Sequence, residues 1–364
     1  MKQKQLLSML QYIDMDDKPE TIIGALHNAD VERPLAALVK AELKGLLNGL
    51  KIFQNLLGAK KAILVVPEHC LNEACKLAEE YNVELIAEEF LQVRAFEHAV
   101  CIHYSTLLNA DRCSTAKEPC RWLSINGQPL REVSCSISLS ALIPEEKVKA
   151  IRIGHGFYPP DILNKRLDEI EFIEDGCIDV LQDNDCLVQA VLQETQNLRN
   201  VSCGICTFCR EGLFQVESTL KGLQKPGTDK AQLELMKELG EAMICSGLCS
   251  VGAQAAVPVL TALEHFSGEL SAHCGKGKCP AGACKAFLDV FIDPQKCEGC
   301  GDCIDVCPED CIEGKSGYIS MIDEFDCSKC GKCVDVCPNG AAQFSGGRKP
   351  KLPERLTKVG RFKK

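Results

Sequence analysis

Several features that mark other protein classes are scarce or missing in this chain of 364 residues. Aromatic residues make up only 5% of it. No apolar run approaches the roughly 18 to 20 residues that a membrane-spanning helix needs. The N-terminal segment has neither the long apolar core nor the small-residue cleavage site of a secretion signal. We therefore predict a cytoplasmic protein without a membrane span.

Glycine is sparse in the first third of the chain. Before Gly127 there are only four isolated glycines, and no two form a Gly-x-Gly pair: Gly24, Gly45, Gly49 and Gly58. A loop that binds the phosphate of a flavin or nicotinamide nucleotide needs clustered glycines, because backbone N–H groups must approach the phosphate closely. We therefore expect no FMN, FAD or NAD to be bound by this chain.

Charge is unevenly distributed along the sequence. The net charge is −10, but residues 345–364 hold eight Lys or Arg against one Glu, so this tail is +7 and the rest is −17. An acidic body argues against nucleic acid as a partner. We predict that the basic tail is a solvated, disordered end; docking of the tail onto an acidic partner subunit is the alternative.

Cysteine, in contrast, is abundant, with 25 residues. Without a secretion signal, we expect reduced thiols that bind metal rather than a disulfide framework. The phrase Cys-x2-Cys-x2-Cys-x3-Cys-Pro occurs twice, and bacterial ferredoxins use this run to hold two [4Fe-4S] clusters, each fourth Cys ligating the other copy's cluster. A zinc ribbon would leave half of these cysteines unexplained. The predicted ligands are Cys297, Cys300, Cys303 and Cys337 for the first cluster and Cys307, Cys327, Cys330 and Cys333 for the second.

A third group of cysteines lies in a helical region. Three of them follow at three-residue steps: Cys203, Cys206 and Cys209. A tight loop can supply three thiolates to a cluster, and a packed helix end must then bring the fourth, for which Cys249 and Cys245 compete. We expect Arg210, at the edge of the loop, to offset thiolate charge. Zinc or dithiol chemistry is the alternative for this group.

Apolar periodicity predicts the elements around these motifs. Helical spacing extends from residue 1 to about Gly58, and a βαβ unit follows, with strands at 62–66 and 83–87. Short strands come next, with a hairpin turn at Asn126-Gly127. Four further helices are predicted at 187–198, 213–223, 232–243 and 257–266.

Two phrases resemble a known family. SCGICTFCREG, followed by GLCSVGAQAAVPVL, is similar to the iron–sulfur domain of the flavin-carrying, NADH-binding subunit of respiratory complex I and of NAD-reducing or electron-bifurcating hydrogenases. Phe157 to Asp161 resembles the preceding β-grasp, soluble-ligand-binding-type domain. The resemblance assigns one [4Fe-4S] cluster to Cys203, Cys206, Cys209 and Cys249. Because the family's glycine loop is missing here, flavin and NADH binding are not carried over.

The segment that precedes the ferredoxin run has the pattern of a Cys/His zinc site. Its predicted ligands are His273, Cys279 and Cys284, with Cys186 or Cys274 as the fourth. The resemblance to bifurcating hydrogenases implies zinc here as well, and reduced structural thiols are the alternative. The nine cysteines without a motif are expected to pack as small apolar side chains: Cys70, Cys75, Cys101, Cys113, Cys120, Cys135, Cys177, Cys245 and Cys311.

Together these patterns predict a multidomain α+β protein. Its expected parts are a helical and βαβ remnant of a flavin-type domain (1–118), a β-grasp module (119–185), a helical-bundle iron–sulfur domain (186–272), a Cys/His neck with zinc (273–292), a 2[4Fe-4S] ferredoxin domain (293–345) and the basic tail (346–364).

We expect an electron-transfer subunit with three [4Fe-4S] clusters, one Zn²⁺ and no catalytic site of its own. A flavoprotein subunit would supply the NAD(P)H and flavin site, and a further redox subunit or a soluble ferredoxin would exchange electrons with the ferredoxin clusters. Bifurcation is left open, and oxygen-sensitive clusters favour anaerobic metabolism. The alternatives are a self-contained NAD(P)H diaphorase with an unrecognised flavin site, and a scaffold whose metal sites only hold partners together.

Overall fold

The computed structural model describes residues 19–88, 98–143, 147–170, 175–246, 249–346 and 349–362. The described residues group into two units. The first draws on residues up to Asp183 and on Val191–Glu217 and Glu234–Ser267; the second draws on Asn184–Ala190, Ser218–Leu233 and the chain from Gly268 onward. No helix within the described ranges has both the length and the apolar character that a membrane crossing requires.

A four-stranded parallel sheet begins the first unit. Its strands are β1 (Thr21–Ala25), β2 (Lys61–Val66), β3 (Glu84–Ala87) and β4 (Ala99–His103), in the spatial order β3-β2-β1-β4. The intervening helices are α1 (Leu38–Ala41), α2 (Leu43–Leu57), α3 (Leu71–Glu80) and α4 (Tyr104–Ser114). β1 and β2 are buried along almost their whole length, as expected for strands of a parallel sheet that helices cover.

The helix predicted from residue 1 to about Gly58 is wrong in part. Thr21–Ala25 is a strand with all five residues buried. A short apolar run of this kind cannot be told from a buried helix by periodicity alone. Helix α2 does end at Gly58, which has the left-handed conformation at φ 70°, and the βαβ unit of β2, α3 and β3 is confirmed. The predicted helical residues before position 19 lie outside the described residues.

Glycines let helices α2 and α4 approach each other closely. A Cβ atom on Gly49 would lie 2.0 Å from the carbonyl oxygen of Leu107, which is shorter than any allowed contact. One on Gly45 would lie 2.9 Å from the flexible end of Leu108. Close packing of these helices buries Leu46 completely. Gly49 is therefore required by the helix contact.

A five-stranded mixed sheet completes the strand content of the first unit. Its strands are β5 (Cys120–Ile125), β6 (Arg131–Ser134), β7 (Ala150–Ile153), β8 (Gly156–Tyr158) and β9 (Cys177–Leu181), in the order β6-β5-β9-β7-β8. Only β5 and β9 pair in parallel. The predicted hairpin turn is confirmed, because Asn126 and Gly127 have φ values of 51° and 67° between β5 and β6.

The four helices predicted after this sheet are confirmed, each longer than predicted. They are α5 (Leu187–Val201), α6 (Thr207–Leu223), α7 (Ala231–Ser246) and α9 (Val257–Ala272), with the short α8 (Ser250–Gln254) before the last. In the first unit, buried Leu198, Leu213 and Met243 form a core with residues of α8. The first turn of α6 escaped prediction because its residues have no apolar periodicity.

The second unit contains the duplicated cysteine run. Its strands are β10 (Asp289–Ile292), β11 (Ile312–Glu313), β12 (Met321–Ile322) and β13 (Ala342–Ser345), paired antiparallel as β10-β13 and β11-β12, and its short helices are α10 (Asp302–Asp305) and α11 (Lys332–Val336). Gly301 and Gly331 precede the two helices with φ of 97° and 87°. Single 3-10 turns elsewhere occupy Pro34–Ala37, Glu68–Cys70, Leu139–Ala141, Pro160–Asn164, Leu167–Glu169 and Lys285–Phe287.

The basic tail packs on the second unit, so the prediction of a solvated, disordered end is wrong for residues 349–362. The Ile319 N–H donates to the Thr357 carbonyl at 2.9 Å. Lys349 Nζ lies 2.5 Å from a carboxylate oxygen of Glu324. The cause is charge, because the predicted ferredoxin domain holds eleven Asp or Glu against four Lys.

We expect Gly49→Ala to destabilise the protein by about 1–3 kcal/mol, since the new methyl group collides with helix backbone that cannot yield locally. The matched control is Gly268→Ala in helix α9, where a Cβ atom would meet nothing within 4 Å. There the lower entropy of the unfolded chain should leave stability unchanged or raise it. Thermal unfolding followed by circular dichroism measures both; equal unfolding midpoints would contradict the packing argument.

Candidate metal centres

The eight cysteines of the duplicated run converge on two small cavities of the second unit. Each cavity takes three cysteines from one copy and the fourth from the other, which is the exchange of ligands that the sequence predicts. The first is lined by Cys297, Cys300, Cys303 and Cys337, and the second by Cys307, Cys327, Cys330 and Cys333. The residues present therefore fit two cubane clusters, which four thiolates hold apiece.

Backbone N–H groups favour the thiolate form of some of these cysteines. Burial would raise the pKa of Cys337, but hydrogen bonds from backbone N–H groups lower it. One such bond runs from the Ala341 N–H to Cys337 Sγ at 3.2 Å. The thiolate is the form that ligates iron, so these donors suit a cluster site. Hydrogen bonds to ligand sulfurs also tune a cluster's reduction potential.

The second cavity holds a fifth thiol that the cysteine spacing did not identify. Cys311 is buried, lines the same cavity, and its Sγ lies 3.5 Å from Sγ of Cys307. Burial raises the pKa of Cys311 to about 12, and the hydrogen bond with Cys307 adds to this rise. It is therefore held as a neutral thiol beside the predicted ligand set. The sequence could have indicated this thiol through its position four residues after Cys307.

The third set of cysteines converges in the first unit. Cys203 and Cys206 lie on the loop between α5 and α6, Cys209 lies in the first turn of α6, and Cys249 directly precedes α8. Burial raises the pKa of Cys209, and the negative charges of the other three thiolates raise it further. Cys206 and Cys249 also pack with Cys209 in one core cluster, and Cys203 lies on the same loop, so the four cysteines fit one iron–sulfur cluster. Cys245 is exposed and is not among the thiolates that raise the pKa of Cys209.

Polar groups hold the three-cysteine loop in place. The Arg210 guanidinium donates to the Gly204 carbonyl at 2.9 Å and pairs with Glu211 at 2.8 Å. Gly204 has φ of 70°, a left-handed conformation that favours glycine. Ser202 Oγ lies 3.4 Å from Cys209 Sγ, within hydrogen-bond range of a sulfur ligand. Arg210 thus stabilises the loop directly; its effect on cluster charge stays a prediction.

The predicted zinc ligands form a compact, buried group in the second unit. The donor atoms of Cys186, His273, Cys279 and Cys284 all lie within 4.8 Å of one another. Cys186 Sγ lies 3.4 Å from His273 Nε2 and 3.5 Å from Cys284 Sγ. Tetrahedral zinc with bonds of about 2.0–2.3 Å requires donor separations of roughly 3.5–3.8 Å. The geometry fits zinc.

The surroundings of the group also suit a metal. His273 Nδ1 lies 2.8 Å from the Glu269 carbonyl oxygen, and donation there leaves Nε2 as the metal ligand. Hydrogen bonding from Cys284 lowers the pKa of Cys186 to about 4, which favours its thiolate. Of the two candidates for the fourth ligand, the structure groups Cys186 with the others. Cys274 is half-exposed and its thiol donates to the Leu270 carbonyl instead.

The cysteines without a motif behave largely as predicted. Four of them are buried and four are half-buried, whereas Cys245 is exposed and does not fit the prediction of a packed thiol. Burial raises the pKa of Cys101 and of Cys120 to about 12. Such thiols are neutral and unreactive near neutral pH.

Two segments of the chain match known families. Residues 189–273 match the NADH-ubiquinone oxidoreductase-F iron-sulfur binding region, and residues 296–342 match a 4Fe-4S dicluster domain. The NADP-reducing hydrogenase subunit HndC of Solidesulfovibrio fructosivorans is 36% identical over 139 residues, which are 38% of this chain and 28% of HndC. An NADH-quinone oxidoreductase subunit of Mycobacterium bovis is 29% identical over 103 residues, 28% of this chain and 23% of that protein. The resemblance predicted from the sequence is confirmed.

A solved structure shares the fold. The NAD+-reducing [NiFe]-hydrogenase in its air-oxidized state has a TM-score of 0.58 at 17% identity, covering 71% of this chain and 57% of that chain. The chain therefore has a mixed α/β fold of this kind with an added 4Fe-4S ferredoxin domain. Its matched segments span only about a quarter of the two curated relatives.

We expect Cys249→Ser to remove about four iron atoms per chain and one cubane signal, because three loop thiolates cannot hold the cluster alone. The control, Cys245→Ser, should keep all of its iron, since Cys249 and not Cys245 packs in the core cluster with Cys206 and Cys209. Iron analysis and low-temperature EPR of the reduced protein measure both variants. Iron loss in the Cys245 variant alone would reverse the assignment.

Cys186→Ala should lower bound zinc from about one per chain to near zero while leaving iron unchanged, because it deletes one of four ligands. Cys274→Ala removes an equivalent thiol on the neighbouring side of His273 and should retain the zinc. Elemental analysis of anaerobically purified protein reports both metals at once. Zinc that survives in the Cys186 variant and is lost in the Cys274 variant would show that the other ligand set is the real one.

Proposed function

We propose that this chain is an iron–sulfur electron-transfer subunit of a multisubunit oxidoreductase, holding three [4Fe-4S] clusters and one Zn²⁺. The observation that carries the proposal is the convergence of eight cysteines on two cavities, together with the packing of Cys206, Cys209 and Cys249 beside the loop that holds Cys203. When bound, each cluster supplies one-electron transfer. The chain's own residues bind the clusters, space them and tune their potentials through hydrogen bonds to sulfur.

Cys303 of the first ferredoxin set and Cys333 of the second share one packed core cluster, which supports transfer from one set to the other. Burial raises the pKa of Cys333 to about 11, and among the neighbouring thiolates that raise it is Cys303 of the first set. Thiols that influence each other electrostatically lie close together. The clusters held by the two sets would thus be neighbouring redox centres.

The carboxyl edge of the parallel sheet supports the absence of a flavin site. In open α/β sheets, nucleotides bind at the edge where neighbouring strands diverge, which here is between β1 and β4. Buried Asp30, His103 and Ser105 occupy this edge. Asp30 accepts from His103 Nε2 at 2.9 Å, and His103 Nδ1 lies 2.7 Å from Ser105 Oγ. This network of buried side chains, rather than a glycine-rich loop, follows β4 at that edge, which supports a chain without a phosphate-binding loop there.

We therefore assign the two sheets as follows. The four-stranded parallel sheet is the remnant of a flavin-type domain within residues 1–118, and the five-stranded mixed sheet is the β-grasp module of residues 119–185. The zinc site fastens the neck, residues 273–292, to Cys186 at the start of the helical region. The likeness to the hydrogenase fold, which extends over 71% of this chain, is the support for these assignments.

The proposed partner subunits follow from the missing glycine-rich loop for flavin and NAD(P)H. A flavoprotein subunit supplies the NAD(P)H and flavin site, and a second redox subunit or a soluble ferredoxin exchanges electrons with the ferredoxin clusters. The relatives support an NAD(P)H link, because one is an NADP-reducing hydrogenase subunit and another an NADH-quinone oxidoreductase subunit. Whether such a complex bifurcates electrons would be decided by identifying the partner subunits.

The test is anaerobic purification of the chain, followed by metal, flavin and redox analysis. We expect about 12 iron atoms and one zinc per chain, no flavin, reversible reduction of cubane signals, and no dye reduction with NADH or NADPH. Bound flavin with NADH-dependent dye reduction would establish the diaphorase alternative. Clusters that cannot be reduced reversibly would leave only a scaffold role.

A further inference from the structure

Phe325 is the most exposed large apolar side chain in the described part of the protein. Its side chain is 96% exposed, whereas Ile205, the next, is 63% exposed. Phe325 lies two residues before Cys327, one of the thiols that line the second ferredoxin cavity. A single exposed apolar side chain is common on protein surfaces; Phe325 is distinguished by its place beside the second cavity and among acidic residues.

An ordered turn presents this ring. The Phe325 N–H donates to Asp323 Oδ1 at 2.9 Å, and the Asp323 N–H donates to the Cys311 carbonyl at 2.8 Å. β12, which ends directly before Asp323, is paired with β11. The turn is thus tied to the wall of the cavity, and the exposed position of Phe325 belongs to the fold.

Acidic residues adjoin Phe325 along the chain. Asp323, Glu324 and Asp326 flank it in the sequence, and the Asp323–Cys311 hydrogen bond brings Glu309 and Asp310 beside them. All five carboxylates are exposed. The nearby basic residues are Lys349, which pairs with Glu324, Lys332, which lines the cavity, and Lys329, whose Nζ lies 3.9 Å from Asp289. We name the set the Phe325 patch: Glu309, Asp310, Asp323, Glu324, Phe325 and Asp326.

The Phe325 patch adjoins the thiols themselves. Glu309 lines the second cavity together with Cys327 and Cys330, and Cys330 is exposed. Specific interfaces combine an aromatic centre with a polar rim, and a few central residues dominate the binding energy. Complementary charge around the centre steers partners into place and selects among them. A negative rim around an aromatic residue fits a positive rim around an apolar depression.

We propose that the Phe325 patch is the docking surface for a redox protein with a basic rim around its prosthetic group, which exchanges electrons with the cluster held by Cys307, Cys327, Cys330 and Cys333. One electron leaves the reduced cluster and one enters the partner's oxidised centre, with no bond made or broken. The inference rests on the proposed function, because it requires that cluster to be present and reducible.

The test uses the full chain, reduced anaerobically, freed of reductant and mixed with oxidised cytochrome c, a small basic haem protein, in a stopped-flow instrument. We expect Phe325→Ala to lower the second-order rate constant about tenfold, as for truncation of a central interface residue. Reduction of the small oxidant dichlorophenolindophenol should be unchanged. The control is Leu235→Ala, which truncates an exposed apolar side chain on helix α7 and should react like wild type.

Charge is tested separately. The triple variant Asp323→Asn, Glu324→Gln, Asp326→Asn should slow cytochrome c reduction at low salt and flatten its salt dependence. The matched variant Glu79→Gln, Glu80→Gln, Glu84→Gln changes net charge equally, and its exposed carboxylates lie on α3 and β3, so it should keep the wild-type salt dependence.

The outcomes separate this inference from the proposed function. Missing cubane signals in wild-type protein would remove both. Normal signals with Phe325→Ala and the triple variant reacting like wild type would overturn the docking surface alone. Faster electron transfer to the acidic protein flavodoxin than to cytochrome c would also overturn it, since the partner would then not be basic.

Discussion

Mutual repulsion of thiolates is the constraint on which the metal centres depend. Four ionised sulfurs cannot be held together unless a metal ion or hydrogen-bond donors offset their charge. Burial and neighbouring thiolates raise the pKa of Cys209 and of Cys333, whereas backbone N–H donors lower that of Cys337. Because all three sets of four cysteines and the Cys/His group take residues from separated segments, metal bound there would couple to the folding of these regions.

Local spacing identifies ligands that share a loop, and it fails for ligands that return from elsewhere. In the duplicated run the spacing alone identifies all eight predicted ligands, because both copies have the same spacing and each supplies the fourth cysteine of the other copy's cluster. Cys249 and Cys186 have no such spacing, so spacing in the sequence predicts Cys245 and Cys274 equally well as the fourth ligands. Packing distinguishes these candidates: Cys249 and not Cys245 packs with Cys206 and Cys209, and the thiol of Cys274 donates to the Leu270 carbonyl. Only the tertiary fold contains that information.

Two segments whose structure was predicted wrongly show where sequence patterns do not determine the conformation. Thr21–Ala25 is buried on both faces, so it carries neither the alternation of a half-buried strand nor enough length to distinguish it from a helix. The tail, residues 349–362, has the composition of a disordered end, yet the acidic ferredoxin domain neutralises it. Lys349 approaches Asp289 as well as Glu324, a long-range pairing that composition alone does not reveal.

The surfaces beside the proposed metal centres differ in polarity and charge. This difference bears on how each centre exchanges electrons with its own partner and not with the other's. Around the three-cysteine loop the exposed side chains include apolar Ile205, Phe208 and Phe214. The charged side chains there are paired, Arg210 with Glu211 and Arg199 with Glu217. Around the second ferredoxin set acidic side chains predominate. A partner with a basic rim therefore gains more electrostatic energy at the acidic surface than at the other. Specificity is a difference between two affinities, and this difference in local charge contributes to it.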